Sequence, residues 1–407
     1  MSQIVSADDG VKEIEPSHLF RLIRDLVASS LCRTRSEDVF TLKVGSWTPE
    51  TSLRDTGLGL DSMERMATAE EVAEFFNLYE TGGEDYLLAL DTLGEWVELV
   101  TTCLKAGSGV IHFSTSGSTG EPKKCAHSLL SLKEEAAVLA DLFKGCGSII
   151  SCVPAHHIYG FLYTVLLPTA LGGKDVVDGR FMGPGSLARS ISQDDLVIAT
   201  PTIWKLYERA VQRWPAPVFG STSTEPMSPS LWAHLEKSGI KLTEIYGSSE
   251  TAGIGSRTRS DDGFALFPYW QPKADGLTIT RTLPDKTHHD YELQDDLDWL
   301  ADGRIFTVKG RRDKAVQVAG HNVFPDQVKD MIAGVKGVKD CAVRFDAASG
   351  RLKALLVPLE SDEDPEILKA AVRDFCAASM PSHQRPAVLT VRQAIPRNEM
   401  GKLQDWD

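Results

Sequence analysis

The sequence predicts an α/β protein with a helical N-terminal part, a central domain built on a mainly parallel sheet, and a small α+β domain at the C-terminus. Three observations lead to this prediction. Apolar residues recur at helical spacing before residue 105, short apolar runs alternate with helical stretches after residue 108, and the pattern changes again after residue 310. A chain of 407 residues is long enough for two or three domains. We therefore expect domains at 1–105, 106–309 and 310–407.

The N-terminal part is predicted to contain three helices. The first spans residues 17–32, and the second begins at Asp61 and Ser62, which are residue types that cap helices well. The expected apolar face of this second helix consists of Met63, Met66, Ala67, Val72, Ala73 and Phe76. The third helix follows Thr92 and Glu95, which have the spacing of a capping box. Its expected apolar stripe consists of Leu93, Trp96, Val97 and Val100.

Most of the negative charge of the protein lies in this N-terminal part. The chain has a net charge of −14, and residues 1–100 contain 20 of its 57 acidic residues but 8 of its 43 basic residues. An acidic surface argues against binding nucleic acid and favours a basic protein partner. The seven cysteines are scattered and form no CxxC pair, as in reduced cytoplasmic proteins. No apolar run is long enough to span a membrane, and the N-terminus does not look like a signal peptide.

Beyond residue 108, short apolar runs such as "GVIHF", "SIISCV" and "DLVIAT" predict buried strands. Helical stretches such as "SLLSLKEEAAVLADLF" separate these runs, and this alternation is typical of a largely parallel sheet covered by helices. After "KGRRDKAV", four further segments predict the small α+β domain: "DQVKDMIAGVKGV", "DCAVRFD", "RLKALLVPL" and "PEILKAAVRDFCAASM".

The stretch "STSGSTGEPKK" after the first of these strands has the composition of a phosphate-binding loop. Gly117 and Gly120 allow a close approach of the backbone to a ligand, and the hydroxyl groups and Lys123 can surround phosphate oxygens. The loop is not a Walker A motif, because Gly120 is followed by Glu-Pro-Lys. Taken alone, the stretch also fits a Ser/Thr/Gly-rich surface turn.

Four further motifs follow in order: "PAHHIYGF" at 154–161, "EIYGSSETAG" at 244–253, the segment 292–328 that contains "DDLDWLADG" and "VAGHNVFP", and "IPRNEMGKLQ" at 395–404. Together with the phosphate loop, they resemble the adenylate-forming superfamily, which comprises acyl-CoA and aryl-CoA synthetases, nonribosomal adenylation domains and luciferases. The resemblance covers roughly residues 108–407. Several motifs in the right order are far more specific than one loop.

The resemblance implies a nucleotide site. The ATP phosphates would be held by the loop residues Ser114, Thr115, Ser116, Gly117, Ser118, Thr119, Gly120 and Lys123. Tyr246 would stack on adenine, and Glu250 would hold Mg²⁺, which prefers carboxylate and phosphate oxygens. The residues flanking this pair in the motif are Gly247, Ser248, Ser249 and Thr251. Asp295 would bind the ribose, or Asp296 if the alignment shifts by one residue, and Arg311 would also contact the nucleotide.

The remaining motif residues imply the chemistry. His157, rather than His156, matches the family's histidine beside the acid pocket, and Lys402 matches the lysine that bridges the carboxylate and the α-phosphate. Gly320 belongs to a loop that enters the active site after the small domain, a mobile lid, has rotated. A carboxylate attacking ATP brings two anions together, so cationic groups such as Lys402 and Mg²⁺ are needed. The acyl adenylate is then captured by a thiol.

One departure from the family concerns length. Only about a hundred residues precede the phosphate loop, so the large domain is expected to be shortened. In that place, "LGLDSMERM" resembles an acyl carrier protein, which implies phosphopantetheine on Ser62. A phosphate ester at a helix start meets the positive end of the helix dipole. The alternative is that Asp61 and Ser62 only begin an ordinary amphipathic helix.

We therefore predict an ATP-dependent ligase that adenylates a small acyl or aryl acid and transfers the acyl group to a thiol. The acceptor would be phosphopantetheine on Ser62, another carrier protein, or coenzyme A, and the first two require a phosphopantetheinyl transferase. One alternative is an acyl- or aryl-CoA ligase in which the N-terminal helices are only structural. The other is a non-catalytic interaction module that keeps the fold.

Overall fold

The computed structural model describes residues 14–54, 57–115, 123–211, 213–215, 217–300, 303–312, 315–359, 364–396 and 406. Two compact units divide the chain. The larger unit contains the described residues of Met1–Thr115, Lys123–Glu292 and Asp298–Thr307. The smaller unit contains those of Leu293–Leu297 and Val308–Asp407.

The helices of the described residues begin and end as follows: α1 Pro16–Arg35, α2 Ser62–Phe75, α3 Glu84–Leu87, α4 Leu93–Ala106, α5 Leu129–Leu142, α6 Ile158–Phe161, α7 Leu167–Ala170, α8 Pro184–Ser190, α9 Pro201–Ala210, α10 Pro229–Ser238, α11 Pro325–Ala333 and α12 Pro365–Ser379. A π-helical segment, Leu162–Leu166, joins α6 to α7. Proline stands at one of the first two positions of α1 and of every helix from α7 to α12. Its missing N–H group leaves no helical hydrogen bond unmade there.

The strands are β1 Val110–Thr115, β2 Lys123–Ser128, β3 Ile149–Ser151, β4 Val176–Asp178, β5 Leu196–Ile198, β6 Val218–Thr222, β7 Ile240–Ser248, β8 Ala252–Arg257, β9 Phe264–Leu266, β10 Trp270–Pro272, β11 Thr278–Thr282, β12 His288–Glu292, β13 Asp295–Leu300, β14 Ile305–Arg311, β15 Val316–Val318, β16 His321–Val323, β17 Val338–Asp346, β18 Arg351–Pro358 and β19 Val388–Val391.

The largest sheet has nine strands in the order β13-β14-β9-β8-β7-β6-β5-β3-β4. Strands β4, β3, β5, β6 and β7 are parallel, whereas β8, β9 and β14 add to them in antiparallel orientation. The predicted mainly parallel sheet is therefore found in one half of a mixed sheet. Strand direction reverses at β8 because only the short turn after Ser248 separates it from β7, which leaves no room for a crossover helix.

The parallel half is buried on both faces. Strands β3 and β5 are fully buried, and α8, α9 and α10 cover one face through a core that includes Trp204 and Trp232, each at most 1% exposed. Parallel strands need such double coverage because their connections run over the sheet faces. The carboxyl ends of β6 and β7 carry the motif residues discussed below.

The N-terminal helices correspond to the predicted ones, with one error on α2. Its capping box of Asp61 and Glu64 starts the helix at Ser62, and the apolar stripe of α4 is buried as expected. Met63 and Met66, however, are 71% and 55% exposed, so their assignment to the buried face was wrong. Val72, Ala73 and Phe76 of the predicted face are buried as expected. Thr68, Ala69 and Phe75, which the prediction did not include, are buried with them. Helical spacing defines several possible stripes, and the neighbours of the helix decide which one is buried.

These helices lie in the same compact unit as strands β3 to β9 of the large sheet. From α1, Arg21 donates to the carbonyl oxygen of Val176 at 2.7 Å, and Arg24 pairs with Asp178 at 2.5 Å. The helical part is thus fastened to strand β4, and its contacts give no support to a separate carrier-like domain at 1–105. The exact boundaries of the three expected domains stay predictions.

The smaller unit has the predicted α+β composition. Its sheet has the order β17-β18-β19, with β18 central. Helices α11 and α12 contribute Val328, Ile332, Leu368 and Val372 to a common core with this sheet. Strands β15 and β16 form a tight hairpin, and positive φ angles at Ala319 and Gly320 allow its two-residue turn.

No helix in the described part of the chain is long and apolar enough to cross a membrane. All seven cysteines are free thiols, and six of them are buried. Burial raises the pKa of Cys125 to about 11 and that of Cys152 to about 12, so these two thiols are protonated at neutral pH.

Candidate active site

The phosphate loop connects two paired strands. Strands β1 and β2 are antiparallel, with Ser114 opposite Lys124 and Thr115 opposite Lys123, so the two ends of the loop are held side by side. Residues 116–122 lie outside the described residues, and with them the predicted ligands Ser116, Gly117, Ser118, Thr119 and Gly120. Ser114 is exposed at the mouth of this hairpin.

The "YGSSE" motif meets the end of this hairpin. Lys123 Nζ lies 3.1 Å from Glu250 Oε1, although 127 positions separate the two residues. Further along β2, the His127 ring contacts the carbonyl oxygen of Ser249 at 2.6 Å. These two contacts hold β2 against the "YGSSE" motif, so Lys123 of the phosphate loop and Glu250 lie side by side although they belong to different segments of the sequence.

The Glu250 carboxyl is suited to a cation. Burial alone would raise its pKa, but hydrogen bonds, chiefly from Lys123, outweigh burial and lower it. Glu250 is therefore ionised at neutral pH. Among the described residues, no cluster of three or more His, Cys, Asp or Glu side chains forms a protein-only metal site. A single carboxylate nevertheless fits Mg²⁺, which is commonly bound by one or two carboxylates together with substrate phosphates.

The turn that carries Glu250 is rigid. Ser248 and Thr251 exchange hydrogen bonds through their backbone and hydroxyl groups, and Thr251 is 3% exposed. A Cβ atom on Gly247 would lie 2.1 Å from the carbonyl oxygen of Ala252, so only glycine fits there. Just before the turn, the half-buried ring of Tyr246 packs against Phe264 and Phe306, with centroid distances of 5.6 and 5.3 Å. The motif thus has one firmly placed aromatic ring and one firmly placed carboxylate.

The "PAHHIYGF" motif begins helix α6. His157 is exposed at the N-cap of this helix, whereas the Nδ1 atom of His156 is buried and has no hydrogen-bond partner among the described residues. Burial, followed by the nearby His157 and Arg180, lowers the pKa of His156 well below its usual value. His156 is therefore neutral, and its ring centroid lies 4.4 Å from that of His157. The exposed position of His157 is compatible with the predicted role, which stays a prediction.

The histidine segment is held by a buried ion network that sequence reasoning missed. Asp25 on α1, with a side chain 1% exposed, accepts a hydrogen bond from the backbone N–H of Ala155 at 2.8 Å. Its other oxygen pairs with Arg180 at 2.7 Å and with Arg24 at 3.1 Å. The sequence did contain one signal for this network, because the charged pair Arg24 and Asp25 interrupts the apolar residues of the first predicted helix. Its partners could not have been named from the sequence.

A second missed cluster lies behind the histidines. The hydroxyl of Tyr159 donates to Ser221 Oγ at 3.1 Å, and Ser221 Oγ donates to Tyr163 at 2.8 Å. All three residues are at most 7% exposed. The adjacent Thr222 Oγ1 is buried without a hydrogen-bond partner among the described residues. This cluster joins α6 and the π-helical segment to the carboxyl end of β6, which is the edge where ligands bind in open α/β sheets.

The smaller unit carries the other predicted nucleotide ligands. Asp295 is half-buried, and the neighbouring Asp296 lies 3.7 Å from Arg312 Nε. The backbone N–H of Arg312 also donates to the carbonyl oxygen of Gln294, so β13 and the end of β14 are joined there. The side chain of Arg311 and all of Lys402 lie outside the described residues. The choice between Asp295 and Asp296 therefore stays open.

Comparison with known proteins identifies the class. Residues 105–269 match the family model of AMP-binding enzymes. The chain is also 34% identical to a relative over 394 residues, which cover 96% of this chain and 99% of the relative. The protein therefore belongs to the AMP-binding, adenylate-forming enzymes. It is an ATP-dependent acid–thiol ligase that forms an acyl adenylate, releases pyrophosphate and passes the acyl group to a thiol.

The relative is a 4-coumarate–CoA ligase of Halorhodospira halophila. A 4-coumarate–CoA ligase of Cereibacter sphaeroides is 36% identical over 375 residues, covering 90% of this chain and 88% of that protein. Among solved structures, the o-succinylbenzoate CoA synthetase of Bacillus subtilis has a TM-score of 0.57 at 16% identity, with 95% of this chain and 92% of that one covered. This structural likeness concerns the fold alone.

The length of the first relative bears on the N-terminal helices. Because the alignment covers 99% of that ligase and 96% of this chain, the short region ahead of the phosphate loop is shared with it. The expected shortening of the large domain thus needs no inserted carrier protein to explain it. Neither the comparisons nor the contacts of α1 and α2 support a carrier domain or phosphopantetheine on Ser62.

Proposed function

We propose that the protein is a coenzyme A ligase for 4-coumarate or a closely related 4-hydroxyaryl propenoic acid. The observation that carries this proposal is the near end-to-end similarity to 4-coumarate–CoA ligases at 34% and 36% identity. A 2-succinylbenzoate–CoA ligase of Mycobacterium tuberculosis is less similar, at 27% identity over 71% of this chain. This difference favours a cinnamic-type acid over a succinylbenzoate as the substrate.

The chemistry of the buried cluster agrees with an aromatic acid that carries a polar group. Tyr159, Phe161 and Tyr163 would supply flat apolar surface to the acid, and Ser221 would supply a hydroxyl group. Small-molecule sites generally combine an apolar lining with a few polar groups that select the ligand. His157 at the exposed end of α6 would then lie towards the carboxylate of the acid.

The motif residues would divide the work of adenylation. Lys123, with the hydroxyl groups of the phosphate loop at 114–120, would hold the β- and γ-phosphates. Tyr246 would stack on adenine, and Asp295 and Arg311 would contact the ribose and phosphate. Glu250 would hold Mg²⁺, which neutralises phosphate charge as pyrophosphate leaves. None of these side chains acts as a nucleophile, since the carboxylate of the substrate attacks the α-phosphorus.

Lys402 would act at the reacting atoms. Its ammonium would bridge the substrate carboxylate and the α-phosphate, which otherwise repel each other, and stabilise the charge of the transition state. Binding both groups in one orientation also converts an encounter in solution into a reaction within one complex. For the second step, the hairpin with Gly320 would approach the same centre, with the CoA thiol as the attacking group.

The test is carboxylate-dependent ATP–pyrophosphate exchange, followed by mass spectrometry of the product formed with CoA. We expect exchange with 4-coumarate and a coumaroyl-CoA product. Lys402→Ala should lower the exchange rate by at least about 100-fold, because a preorganised charge at the transition state is lost. The matched control is Lys336→Ala, an exposed lysine of the smaller unit, with a rate within about twofold of wild type.

Two results would contradict the proposal. Exchange that proceeds with other acids but not with 4-coumarate would contradict the proposed substrate. Adenylation without formation of a CoA thioester would contradict coenzyme A as the acyl acceptor. In that second case, a mass increase on Ser62 after treatment with a phosphopantetheinyl transferase, absent in Ser62→Ala, would restore the carrier route, for which Ser62 is suitably exposed at the start of α2.

A further inference from the structure

Strand β2 presents one of its faces to the turn that carries Glu250. Lys123, Cys125 and His127 share that face, because alternate residues of a strand point to the same side. Lys123 pairs with the Glu250 carboxylate at 3.1 Å, and Glu250 also acts electrostatically on Cys125. His127 is 5% exposed, and its ring packs edge to face against Phe113 at a centroid distance of 5.8 Å. The face thus meets the turn with an exposed cation at one end and a buried imidazole at the other.

The imidazole of His127 holds a backbone group of the turn. Its Nε2 atom lies 2.6 Å from the carbonyl oxygen of Ser249. A carbonyl oxygen only accepts hydrogen bonds, so Nε2 carries the hydrogen and donates it. Because the ring is buried against Phe113, it has little freedom to turn away from this oxygen. The position of the Ser249 carbonyl group is therefore fixed from β2.

The carbonyl group of Ser249 and the N–H group of Glu250 belong to the same peptide unit. Since a peptide unit is planar and rigid, holding the oxygen on one side also sets the direction of the N–H group on the other. Burial raises the pKa of the Glu250 carboxyl, and hydrogen bonds from Lys123, from its own backbone N–H and from Ser248 together lower it. His127 is thus connected to the Glu250 carboxylate through one rigid group.

We propose that His127 is a positioning residue for magnesium-bound ATP. By fixing the peptide unit between Ser249 and Glu250, its ring holds the Glu250 carboxylate in the orientation that binds Mg²⁺ together with the ATP phosphates. Replacing residues that orient metal ligands in this way commonly weakens metal binding by about 10–100-fold. This inference rests on the proposed function, since it concerns how the nucleotide site of the same reaction keeps its geometry.

A packing role is the alternative for His127. In that case the ring only fills space beside Phe113, and its replacement lowers stability without changing how strongly Mg²⁺ promotes ATP binding. The two roles therefore differ in one ratio, which is the Kd for ATP without Mg²⁺ divided by the Kd with Mg²⁺. A loss of stability alone leaves this ratio unchanged in folded protein.

The experiment measures ATP binding to the full chain by isothermal titration calorimetry, without acid or CoA, in buffer with excess Mg²⁺ and in buffer with EDTA. We expect wild type to bind ATP at least about tenfold more tightly in Mg²⁺. His127→Leu should lower that ratio by about tenfold, because the carboxylate loses its orientation. The Kd in EDTA should stay nearly the same, since the phosphate loop and Lys123 are retained.

Two amide variants test the geometry of the hydrogen bond. The side-chain nitrogen of glutamine reaches about as far as Nε2 of histidine, whereas that of asparagine reaches only about as far as Nδ1. His127→Gln should therefore keep most of the Mg²⁺ effect, and His127→Asn should lose it. Thermal unfolding without nucleotide verifies that each variant is folded. If His127→Leu does not fold, the comparison of these two variants decides the question.

His112→Leu is the matched control. His112 lies on β1 of the same hairpin, is half-buried, and also contacts a backbone carbonyl oxygen, that of Glu74, at 3.1 Å. Glu74 belongs to α2 rather than to the turn of Glu250. The ratio of this variant should therefore equal that of wild type, even if its unfolding temperature falls.

Three results would overturn the inference and leave the proposed function intact: a wild-type ratio in His127→Leu, a wild-type ratio in His127→Asn, or an equal loss in His112→Leu. Because neither acid nor CoA is present, an error in the proposed acid or acyl acceptor does not affect the measurement. ATP binding by wild type that is independent of Mg²⁺ would overturn the magnesium role of Glu250, and this inference with it.

Discussion

At the scale of single residues, Lys123 and Lys124 form a natural comparison. They are neighbours on β2, both are half-exposed or more, and each pairs with a glutamate: Lys123 with Glu250 and Lys124 with Glu74. Only the first pair belongs to the recognised motifs. Lys124 therefore belongs to a surface ion pair, whereas Lys123 lies beside a residue of the proposed nucleotide site.

Lys123→Gln is predicted to raise the KM for ATP by about tenfold or more, because a charge-assisted hydrogen bond to phosphate is lost. Lys124→Gln should change it by less than about twofold, since an exposed ion pair contributes about 0–1 kcal/mol to stability and nothing to the nucleotide. Exchange rates at varied ATP concentration measure both. Equal effects of the two variants would show that Lys123 has no special relation to ATP.

At the scale of elements, helix α1 acts as a support for the histidine segment. Its Asp25 carboxylate binds the Ala155 N–H group and the guanidinium groups of Arg24 and Arg180. Burial works against the charged form of Arg180, but Asp178 and Asp25 outweigh it and raise its pKa. The arginine stays ionised and needs its carboxylate partners.

Asp25→Ala is predicted to lower the free energy of unfolding by about 3–5 kcal/mol, because breaking a buried ion pair leaves an uncompensated charge. Arg33→Gln, on the same helix, removes an exposed pair with Glu71 and should cost no more than about 1 kcal/mol. Urea unfolding measures both variants. If Asp25→Ala were as mild as the control, the network would not contribute to the stability of the larger unit.

A tight contact limits movement of the same segment. A Cβ atom on Gly160 would lie 1.9 Å from the carbonyl oxygen of Pro154, so α6 packs directly on the backbone that precedes the two histidines. Together with Asp25, this contact holds the motif from two sides. The exposed His157 therefore stands on a rigid support, as catalytic and binding groups require.

At the scale of the whole molecule, Trp406 is anchored in the smaller unit. Trp406 is 3% exposed and packs with Ala342, Leu355 and Val357, while its carbonyl oxygen accepts a hydrogen bond from Lys353 at 2.6 Å. Lys402 lies only four residues earlier in the sequence. We expect the anchoring of Trp406 to help position that lysine.

Trp406→Ala is predicted to destabilise the smaller unit by about 3–5 kcal/mol and to lower the exchange rate, even though Lys402 is retained. The control is Phe345→Ala on β17, because Phe345 is 37% exposed and has less surface to lose. Exchange assays at a temperature where both variants are folded compare them. Wild-type exchange in Trp406→Ala would mean that the anchor does not help to position the lysine.

Local sequence patterns were sufficient to predict part of this structure. The capping box and the apolar stripe of α4 followed from spacing alone, because they depend on residues three or four positions apart. The start of α2 at Asp61 and Ser62 followed from their residue types. The motifs "YGSSE" and "STSGSTG" indicated the enzyme class because their chemistry is carried by short contiguous segments. The exposed methionines of α2 and the antiparallel half of the sheet were not foreseen.

By itself, the sequence determined the class of enzyme, the order of its motifs and the positions of most helices and strands. Only the tertiary structure decided which distant side chains meet: Lys123 with Glu250, Asp25 with Ala155, and Glu135 with Gly253. The physical reason is that each of these contacts joins segments more than a hundred residues apart. Such partners are chosen by the packing of helices on a sheet, which no local spacing records.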